Sequence, residues 1–290
     1  MTGQRRRQTS GETRQPARAI GFVGGGNMAW ALIKGLLRAG LYRPEQLWAS
    51  DVDAQKRNTL RRRFRVGVTA DNAALVCGSK VIVLAVKPQI MDAVLAELRQ
   101  AVTPAKLFLS IAAGVSTARL EGGLGGGTRV LRAMPNTPAL LGKGMSVLVR
   151  GQHATAADER LGVRLLRAVG QAVAVADEKL LDAVTGLSGS GPAYVYLFAE
   201  GLIAGGIAAG LPAALATRLA LQTLAGAAAM LQETGKSPEA LRAIVTSPGG
   251  TTLAGLGELD RRAFKDAVAA AVVTATRRSE ELGRQRGKQS

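Results

Sequence analysis

The sequence predicts an α/β chain in two parts, a largely parallel sheet covered by helices followed by an all-helical region. Three observations predict it. Short apolar runs of strand length recur between residues 19 and 176, with helix-length stretches between them. Several of these runs are apolar without alternation, as strands buried on both faces are. Beyond Glu178 the texture changes: residues 180–231 are almost all Ala, Leu, Gly and Val, interrupted by Gly210-Leu211-Pro212.

The first element is Ala19-Ile20-Gly21-Phe22-Val23, a strand that runs into Gly24-Gly25-Gly26-Asn27-Met28-Ala29. Helical periodicity follows from Trp30 to Leu37. Strand, glycine turn and helix in this order, with Gly24-x-Gly26-x-x-Ala29, fit the fingerprint of a Rossmann-type dinucleotide-binding domain. Gly24 allows the turn, Gly26 lets backbone approach a diphosphate, and Ala29 lets helix and strand pack closely. A second strand, Leu47-Trp48-Ala49, ends near Ser50-Asp51, where such a fold contacts the adenine ribose. An acid there suits the free 2′-OH of NAD; a hydroxyl with cations nearby, Ser50 with Lys56 and Arg57, suits the 2′-phosphate of NADP. Both signals are present, so the choice between NADPH and NADH stays open, with NADP slightly favoured. A solvated helix face also accounts for Lys56 and Arg57, since Arg61, Arg62 and Arg63 follow.

Lys80 to Pro88 reads as a central strand stopped by Pro88, which cannot donate to a ladder. Leu107 to Ile111 and Arg129 to Ala133 are further strands, ending at Ala112-Ala113-Gly114 and at Met134-Pro135-Asn136-Thr137-Pro138. Small and turn residues at the C-terminal strand ends are what line the ligand crevice of an open α/β sheet. Gly144 to Val149 and Ala172 to Ala176 look like edge strands.

In the helical part, Pro212 is placed to open a new helix. Residues 201–217 approach the length of a membrane span but are broken by Pro212 and bounded by Glu200 and Arg218. Helices this apolar are usually buried, so a second subunit is expected to cover them. Near the C-terminal end, Thr246-Ser247-Pro248-Gly249-Gly250-Thr251-Thr252 lies between helix-like stretches. Its glycines leave backbone N–H groups unpaired at a helix start, a place that suits an anion. Taken alone, an ordinary N-cap with a Pro-Gly turn explains the same residues.

Composition narrows the function classes. The 290 residues are enough for two domains, and 47% are hydrophobic although only 3% are aromatic. The single cysteine, Cys77, rules out an intrachain disulfide and points to the cytoplasm. The lone histidine, His153, sits in a polar stretch, which weighs against a histidine base or a histidine metal site; no metal is expected. Of the net charge of +17, part lies in residues 1–18, where five arginines face one glutamate. These residues are read as a disordered basic tail, with solvation favoured over nucleic-acid binding. Residues 283–290 read the same way, leaving a dinucleotide-binding domain at 19–178 and a helical domain at 179–282.

At Asp182-Ala183-Val184-Thr185-Gly186-Leu187-Ser188-Gly189-Ser190-Gly191-Pro192-Ala193-Tyr194 a specific resemblance appears. Together with Ser247-Pro248-Gly249-Gly250-Thr251-Thr252, Ala85-Val86-Lys87-Pro88 and Met134-Pro135-Asn136-Thr137-Pro138, the sequence resembles pyrroline-5-carboxylate reductase from about Ala19 to about Glu281. The resemblance implies NAD(P)H-dependent reduction of 1-pyrroline-5-carboxylate to L-proline. It also implies an all-α dimerisation domain after the Rossmann-type domain, dimers often assembled into decamers, and an active site drawing on both subunits of a dimer. Expected cofactor contacts are Phe22, Val23, Gly24, Gly25, Gly26, Asn27, Met28, Ser50 or Asp51, Asn72, Ala85, Val86, Lys87, Pro88, Ala112 and Ala113, with Glu178 near the nicotinamide end. The substrate carboxylate is expected on Ser247, Gly249, Gly250, Thr251 and Thr252, with Ser188 and Gly189 close by in a glycine-rich helix entry.

The chemistry agrees with the residues. Backbone amides can take the carboxylate without a buried cation, and a ring imine is partly protonated near neutral pH. Thr252 is the candidate catalytic residue, its hydroxyl orienting the ring nitrogen. Residues 188–192 do not form a nucleophile elbow, since the strand-to-helix context is missing and His153 is the only available base. A related imine or keto-acid reductase is the competing enzyme reading; the hydroxyacid dehydrogenases among those usually carry a lysine early in the second domain, and this chain has none between Lys179 and Lys236. A nucleotide-sensing or nucleic-acid-binding protein using the Arg-rich tail is the non-enzymatic one.

Overall fold

A computed structural model describes residues 18–287; the expected basic tails lie outside the described residues up to position 17 and from 288 on. The chain forms two compact units. One contains the residues up to Ala133 together with Ala139–Glu178; the other contains Met134–Pro138 and the residues from Lys179 onward.

The first unit is built on eight strands: β1 (Arg18–Val23), β2 (Leu47–Ser50), β3 (Gly67–Thr69), β4 (Ser79–Leu84), β5 (Leu107–Ser110), β6 (Arg129–Met134), β7 (Gly144–Arg150) and β8 (Gly170–Ala174). They form one sheet in the order β3-β2-β1-β4-β5-β6-β7-β8. Pairing is parallel from β3 through β2, β1, β4 and β5 to β6, and again between β7 and β8. Strand order reverses between β1 and β4, the switch point where open α/β sheets bind ligands beyond their C-terminal strand ends.

The helices are α1 (Asn27–Arg38), α2 (Ala54–Phe64), α3 (Asn72–Gly78), α4 (Met91–Leu98), α5 (Thr117–Leu124) and α6 (Ala156–Arg167). The apolar strand runs are explained by two cores. Val81 and Val83 of β4 join Leu32, Ile33, Leu36, Leu165 and Leu166 of α1 and α6 in one. Ile82 and Leu84 join Leu75, Met91, Leu95 and Leu120 of α3, α4 and α5 in the other. Each such fully buried side chain contributes about 1.5–3 kcal/mol. Buried Lys106 closes the end of α3: its Nζ donates to the carbonyls of Val76, Cys77 and Ser79 at 2.6, 3.0 and 3.0 Å.

Several sequence expectations are corrected. Arg18, assigned to the tail, opens β1. β4 stops at Leu84, short of Pro88, where the chain turns to let Ala85 approach the Gly24 backbone. β8 occupies residues 170–174 and not 172–176, because Gly170, at φ +148°, pairs with Gly144 so closely that a Cβ would collide with the Gly144 carbonyl. β3 has no apolar run to announce it; Gly67 lets the Trp48 ring lie against it where a side chain would collide.

The second unit contains α7 (Leu180–Val184), a π-helical turn at Thr185–Gly189, and then α8 (Gly191–Ala208), α9 (Ala213–Thr234), α10 (Pro238–Ile244), α11 (Thr251–Arg261) and α12 (Phe264–Gly287). Residues 188–192 are thus not a simple glycine turn: Ser190 N–H reaches back to the Thr185 carbonyl at 2.9 Å and α8 starts at once, with Pro192 in its first turn. Pro212 is the N-cap of α9, not its first helical residue, and the apolar run 201–217 is divided by the break at 209–212. Residues 283–287, expected as tail, continue α12. α12 packs on the π turn, where Gly186 leaves no room for a Cβ beside Thr276, and Ser279 Oγ donates to Asp182 at 2.6 Å.

Apolar side chains stay exposed along α8 and α9, among them Val195, Leu197, Leu219 and Leu221. By length and composition α9 is the one helix among the described residues able to cross a bilayer, yet only 11% of its most apolar stretch is buried within the chain.

Candidate functional site

The β1–α1 turn follows from its glycines. Gly24 sits at φ +98°, donates its N–H to the Ser50 carbonyl at 2.8 Å, and lies where a Cβ would meet the Ala85 carbonyl oxygen at 2.8 Å. Gly25 N–H donates to Asp51 Oδ2 at 2.8 Å. Gly26 is the N-cap of α1, without a side-chain cap and without an acid in the first turn, and a Cβ there would meet nothing within 4 Å. An uncapped helix start facing open space is a seat for a phosphate group. This cradle fits the diphosphate of a dinucleotide. Asn27 is exposed and Met28 half-buried beside it, while Ala29 is fully buried against the strand. A cleft of about 550 Å³ opens next to the turn, lined by Gly25, Gly26, Asn27, Trp30, Lys56 and Thr59 among others.

Phe22 and Val23, expected as cofactor contacts, are fully buried and belong to the two opposite cores, so their side chains cannot touch a ligand. Ser50 is also fully buried; its hydroxyl donates to Asn72 Oδ1 at 2.6 Å, and Asn72 Nδ2 donates to Glu97 at 2.9 Å. Ser50 and Asn72 therefore brace the end of β2. Asp51 turns inward, accepting from the N–H groups of Gly25 and Asp53, with Lys56 Nζ 3.7 Å away. Arg57 Nη1 donates to the carbonyls of Asp51 and Val52 at 2.6 and 3.0 Å, which places its guanidinium at the end of β2.

The loops after β4 and β5 complete this edge. Ala85, Val86 and Pro88 are half-buried and Lys87 exposed; Ala112 is buried and Ala113 half-buried. Glu178 does not offer a free carboxylate. Its Oε1 accepts from Thr117 N–H at 2.9 Å and from Arg132 Nη1 at 2.7 Å, and its Oε2 from the Thr117 hydroxyl at 2.6 Å. Arg132 and Thr117 had not been singled out from the sequence. A charged residue inside the apolar strand Val130-Leu131-Arg132-Ala133 was the available signal.

In the second unit, the stretch from Ser247 to Thr252 forms a tight turn into α11. Ser247 carbonyl accepts from Gly250 N–H at 3.0 Å, Gly249 sits at φ +71°, and a Cβ on Gly250 would collide with Ser247 Oγ. Gly250 is the N-cap and, lacking a side chain, leaves the first-turn N–H groups of α11 without a side-chain cap; Thr251 is exposed and Thr252 half-buried. Dipole and donors together favour a small anion there. Ser188 and Gly189 lie separately, in the π turn. Asn136 Nδ2 donates to both the carbonyl and the hydroxyl of Ser188 at 3.2 Å, and Gly189 lies against Met134. These contacts are why Met134–Pro138 belongs to the helical unit although it follows β6 directly.

The chain matches two family models: "NADP oxidoreductase coenzyme F420-dependent" over residues 19–114 and "Pyrroline-5-carboxylate reductase dimerisation" over residues 178–282. A pyrroline-5-carboxylate reductase of Methanosarcina acetivorans is 43% identical over 91% of this chain and 98% of its own length. One from Arabidopsis thaliana is 42% identical over 91% and 95%. Among solved structures, a pyrroline-5-carboxylate reductase from Coxiella burnetii superposes with a TM-score of 0.86 at 35% identity, covering 92% of this chain and 99% of that one. The Plasmodium falciparum pyrroline carboxylate reductase with NADP bound gives 0.82 at 32% identity, covering 91% and 98%.

Proposed function

The chain belongs to the pyrroline-5-carboxylate reductase family, and from that premise we propose how its residues divide the work. The reaction adds a hydride to the carbon of the C=N bond of 1-pyrroline-5-carboxylate and a proton to its nitrogen, giving L-proline, the last step of proline synthesis. A nicotinamide cofactor supplies the hydride when bound.

The first-turn N–H groups of α1 behind Gly26 would hold the diphosphate of that cofactor, and Ala112 and Ala113 after β5 would offer small residues to its nicotinamide half. The single observation that carries this seat is the uncapped α1 start with open space in front of Gly26. NADPH is the preferred form. Asp51, the acid that would select a free ribose 2′-OH, is already bound to Gly25 and Asp53 amides, whereas half-exposed Lys56 lines the cleft and Arg57 stands at the end of β2. Cations placed so favour a 2′-phosphate. The NADP bound to the Plasmodium relative supports the same preference.

The substrate carboxylate is held by the N–H groups at the start of α11, and the Thr252 hydroxyl hydrogen-bonds the ring nitrogen. A threonine hydroxyl is a weak acid, so its part is to orient and polarise the nitrogen. The proton on that nitrogen comes with the substrate as its iminium, the better hydride acceptor. Ser188 and Gly189 shape the neighbouring surface.

The protein self-associates through the helical unit, and the exposed apolar faces of α8 and α9 are what a second copy covers. Dimers assemble further, to a decamer, in the cytoplasm. Disappearance of NAD(P)H absorbance on adding pyrroline-5-carboxylate, followed with both cofactors, tests the central reading: turnover with a higher kcat/KM for NADPH is expected, and equal or reversed values refute the preference. A single species of monomer mass in analytical ultracentrifugation at micromolar concentration refutes the assembly.

A further inference from the structure

We propose that the C-terminal end of α2 is a docking surface for double-stranded DNA, held through its phosphates without regard to base sequence. Between Ala54 and Arg65 the chain carries Lys56, Arg57, Arg61, Arg62, Arg63 and Arg65 and no acidic residue. Leu60, fully buried, and Phe64, its ring centroid 5.3 Å from that of Trp30, anchor the helix to the core. Each residue advances by about 100° around a helix. Arg61, Arg62 and Arg63 therefore fan outward from the anchored face, and all three are exposed, as is Arg65. Among the described residues no carboxylate forms an ion pair with any of these four; the cations of the first unit that have one are Lys56, Arg119, Arg129, Arg132 and Arg150. Arg61 Nη2 donates to the neutral Asn58 Oδ1 at 2.7 Å.

A helix dipole welcomes cations in its last turn, and Arg61, Arg62 and Arg63 stand there. Arg65 lies beyond that turn. It caps the helix at φ +59°, its N–H on the Arg61 carbonyl at 2.9 Å, in a conformation where glycine is the usual residue. Arg61 and Arg65 are also four residues apart, a spacing at which like charges repel. Both features cost the isolated chain stability, and a bound polyanion offsets the second. The fan decides the kind of anion. Guanidinium forks match phosphate oxygens, but side chains that diverge from a convex surface do not close on one small phosphate. They suit charges repeated along a polymer. Apart from Ala54, the exposed neighbours on α2 are Gln55, Asn58 and Thr59. No large apolar side chain there enters a bilayer, and no exposed ring there stacks the bases of a single strand. A duplex, with one charge per about 1.7 Å of its axis, meets the fan by its backbone alone.

The test measures binding of the full-length protein to a labelled DNA duplex of about 20 base pairs by fluorescence anisotropy, between about 50 and 200 mM salt. The net charge of +17 attracts any polyanion, so variants must separate this surface from the general field. The α2 variant combines Arg61→Gln, Arg62→Gln, Arg63→Gln and Arg65→Gly, leaving Lys56 and Arg57 in place. It is expected to bind the duplex at least about tenfold more weakly, with a plot of log affinity against log salt flatter by about 3–4, and to keep its NADPH-dependent turnover within about twofold. The same loss is expected when Arg5, Arg6, Arg7 and Arg14 are all changed to Gln in both proteins. Arg65→Gly alone should raise the melting temperature while weakening duplex binding. Wild-type protein that does not bind the duplex at the lowest salt overturns the proposal. So does an α2 variant with wild-type affinity, or one whose loss vanishes once the first four arginines are replaced. Binding of phosphatidylserine vesicles or polyglutamate as tight as that of the duplex, and equally dependent on α2, overturns it as well. Should the fourfold variant not fold, Arg62→Gln with Arg65→Gly decides, with a plot flatter by about 2.

Discussion

Gly25 and Asp51, 26 residues apart, are joined by a 2.8 Å hydrogen bond from the glycine amide to the aspartate carboxylate. The bond ties the phosphate-facing turn after β1 to the end of β2. It also engages one oxygen of the aspartate, and on the proposed NADPH preference Lys56 and Arg57 are the side chains expected to meet the adenine side of the cofactor.

A Lys56→Ala, Arg57→Ala double variant should therefore lose kcat/KM with NADPH by about ten- to a hundredfold, the worth of one or two charge-assisted phosphate bonds. Its kcat/KM with NADH should stay within a few-fold. Parallel steady-state assays with the two cofactors give the ratio directly, and a ratio equal to that of wild type removes both cations from the cofactor site.

Thr252→Val keeps the size of the side chain and removes the hydroxyl that accepts from the iminium N–H. Loss of a positioned hydrogen-bond partner at the reacting centre lowers kcat on the order of a hundredfold, while Thr252→Ser retains most of the activity. Since the carboxylate is assigned to amides, KM should move much less than kcat in the valine variant. Single-turnover measurement of hydride transfer checks this, and an unchanged rate excludes the threonine from the chemistry.

Asn136→Ala leaves the carbonyl and hydroxyl of Ser188 without their 3.2 Å partner. Two neutral hydrogen bonds are worth on the order of 1–3 kcal/mol together, enough to loosen the π turn but not the fold. KM for pyrroline-5-carboxylate should rise several-fold with NADPH affinity constant. Parallel losses for both ligands would mean that Asn136 acts on the whole chain and not on this turn.

Lys106 gives a pH test. Its pKa lies below the ordinary value of 10.5 because burial disfavours the charged form. A lysine with a depressed folded-state pKa binds fewer protons folded than unfolded, so its contribution to stability increases as pH rises through the depressed value towards 10.5. Lys106→Met should be less stable than wild type at neutral pH by about 1–3 kcal/mol, the α3 carbonyls having lost their donor. The gap between the two proteins should widen on the alkaline side. Urea denaturation of both across that range reads the sign.

The parts of the fold legible in the sequence are those decided locally. The β1 strand, its glycine turn and α1 can be read because glycine suits the φ of Gly24, and the α11 start can be read from Gly249 for the same reason and from Gly250 because a Cβ there would collide with Ser247 Oγ. What was not legible depends on partners distant in the chain. Nothing near Ser50 says that its hydroxyl faces Asn72 and is fully buried, and nothing near Glu178 says that Thr117 and Arg132 occupy its oxygens. Strand β3 escaped because three half-buried residues leave no pattern, and the limits of β8 because they are set by a backbone approach to Gly144. The resemblance names positions by their order along the chain, and order alone does not distinguish a side chain that lines a cleft from one buried in the core beneath it, as Phe22 and Val23 are.

The wide turn at Thr185–Gly189 amounts to one surplus residue within what would otherwise be a single rod from Leu180 to Ala208. Each residue advances an α-helix by about 100°. Removing any one amino acid here would let the rod close to regular pitch and swing everything before it by that angle relative to everything after. Tyr194 would then lose its hold on the Gly186 and Ala271 carbonyls, 3.3 and 3.4 Å away at present. Length, more than the identity of any side chain, is what this segment has to preserve.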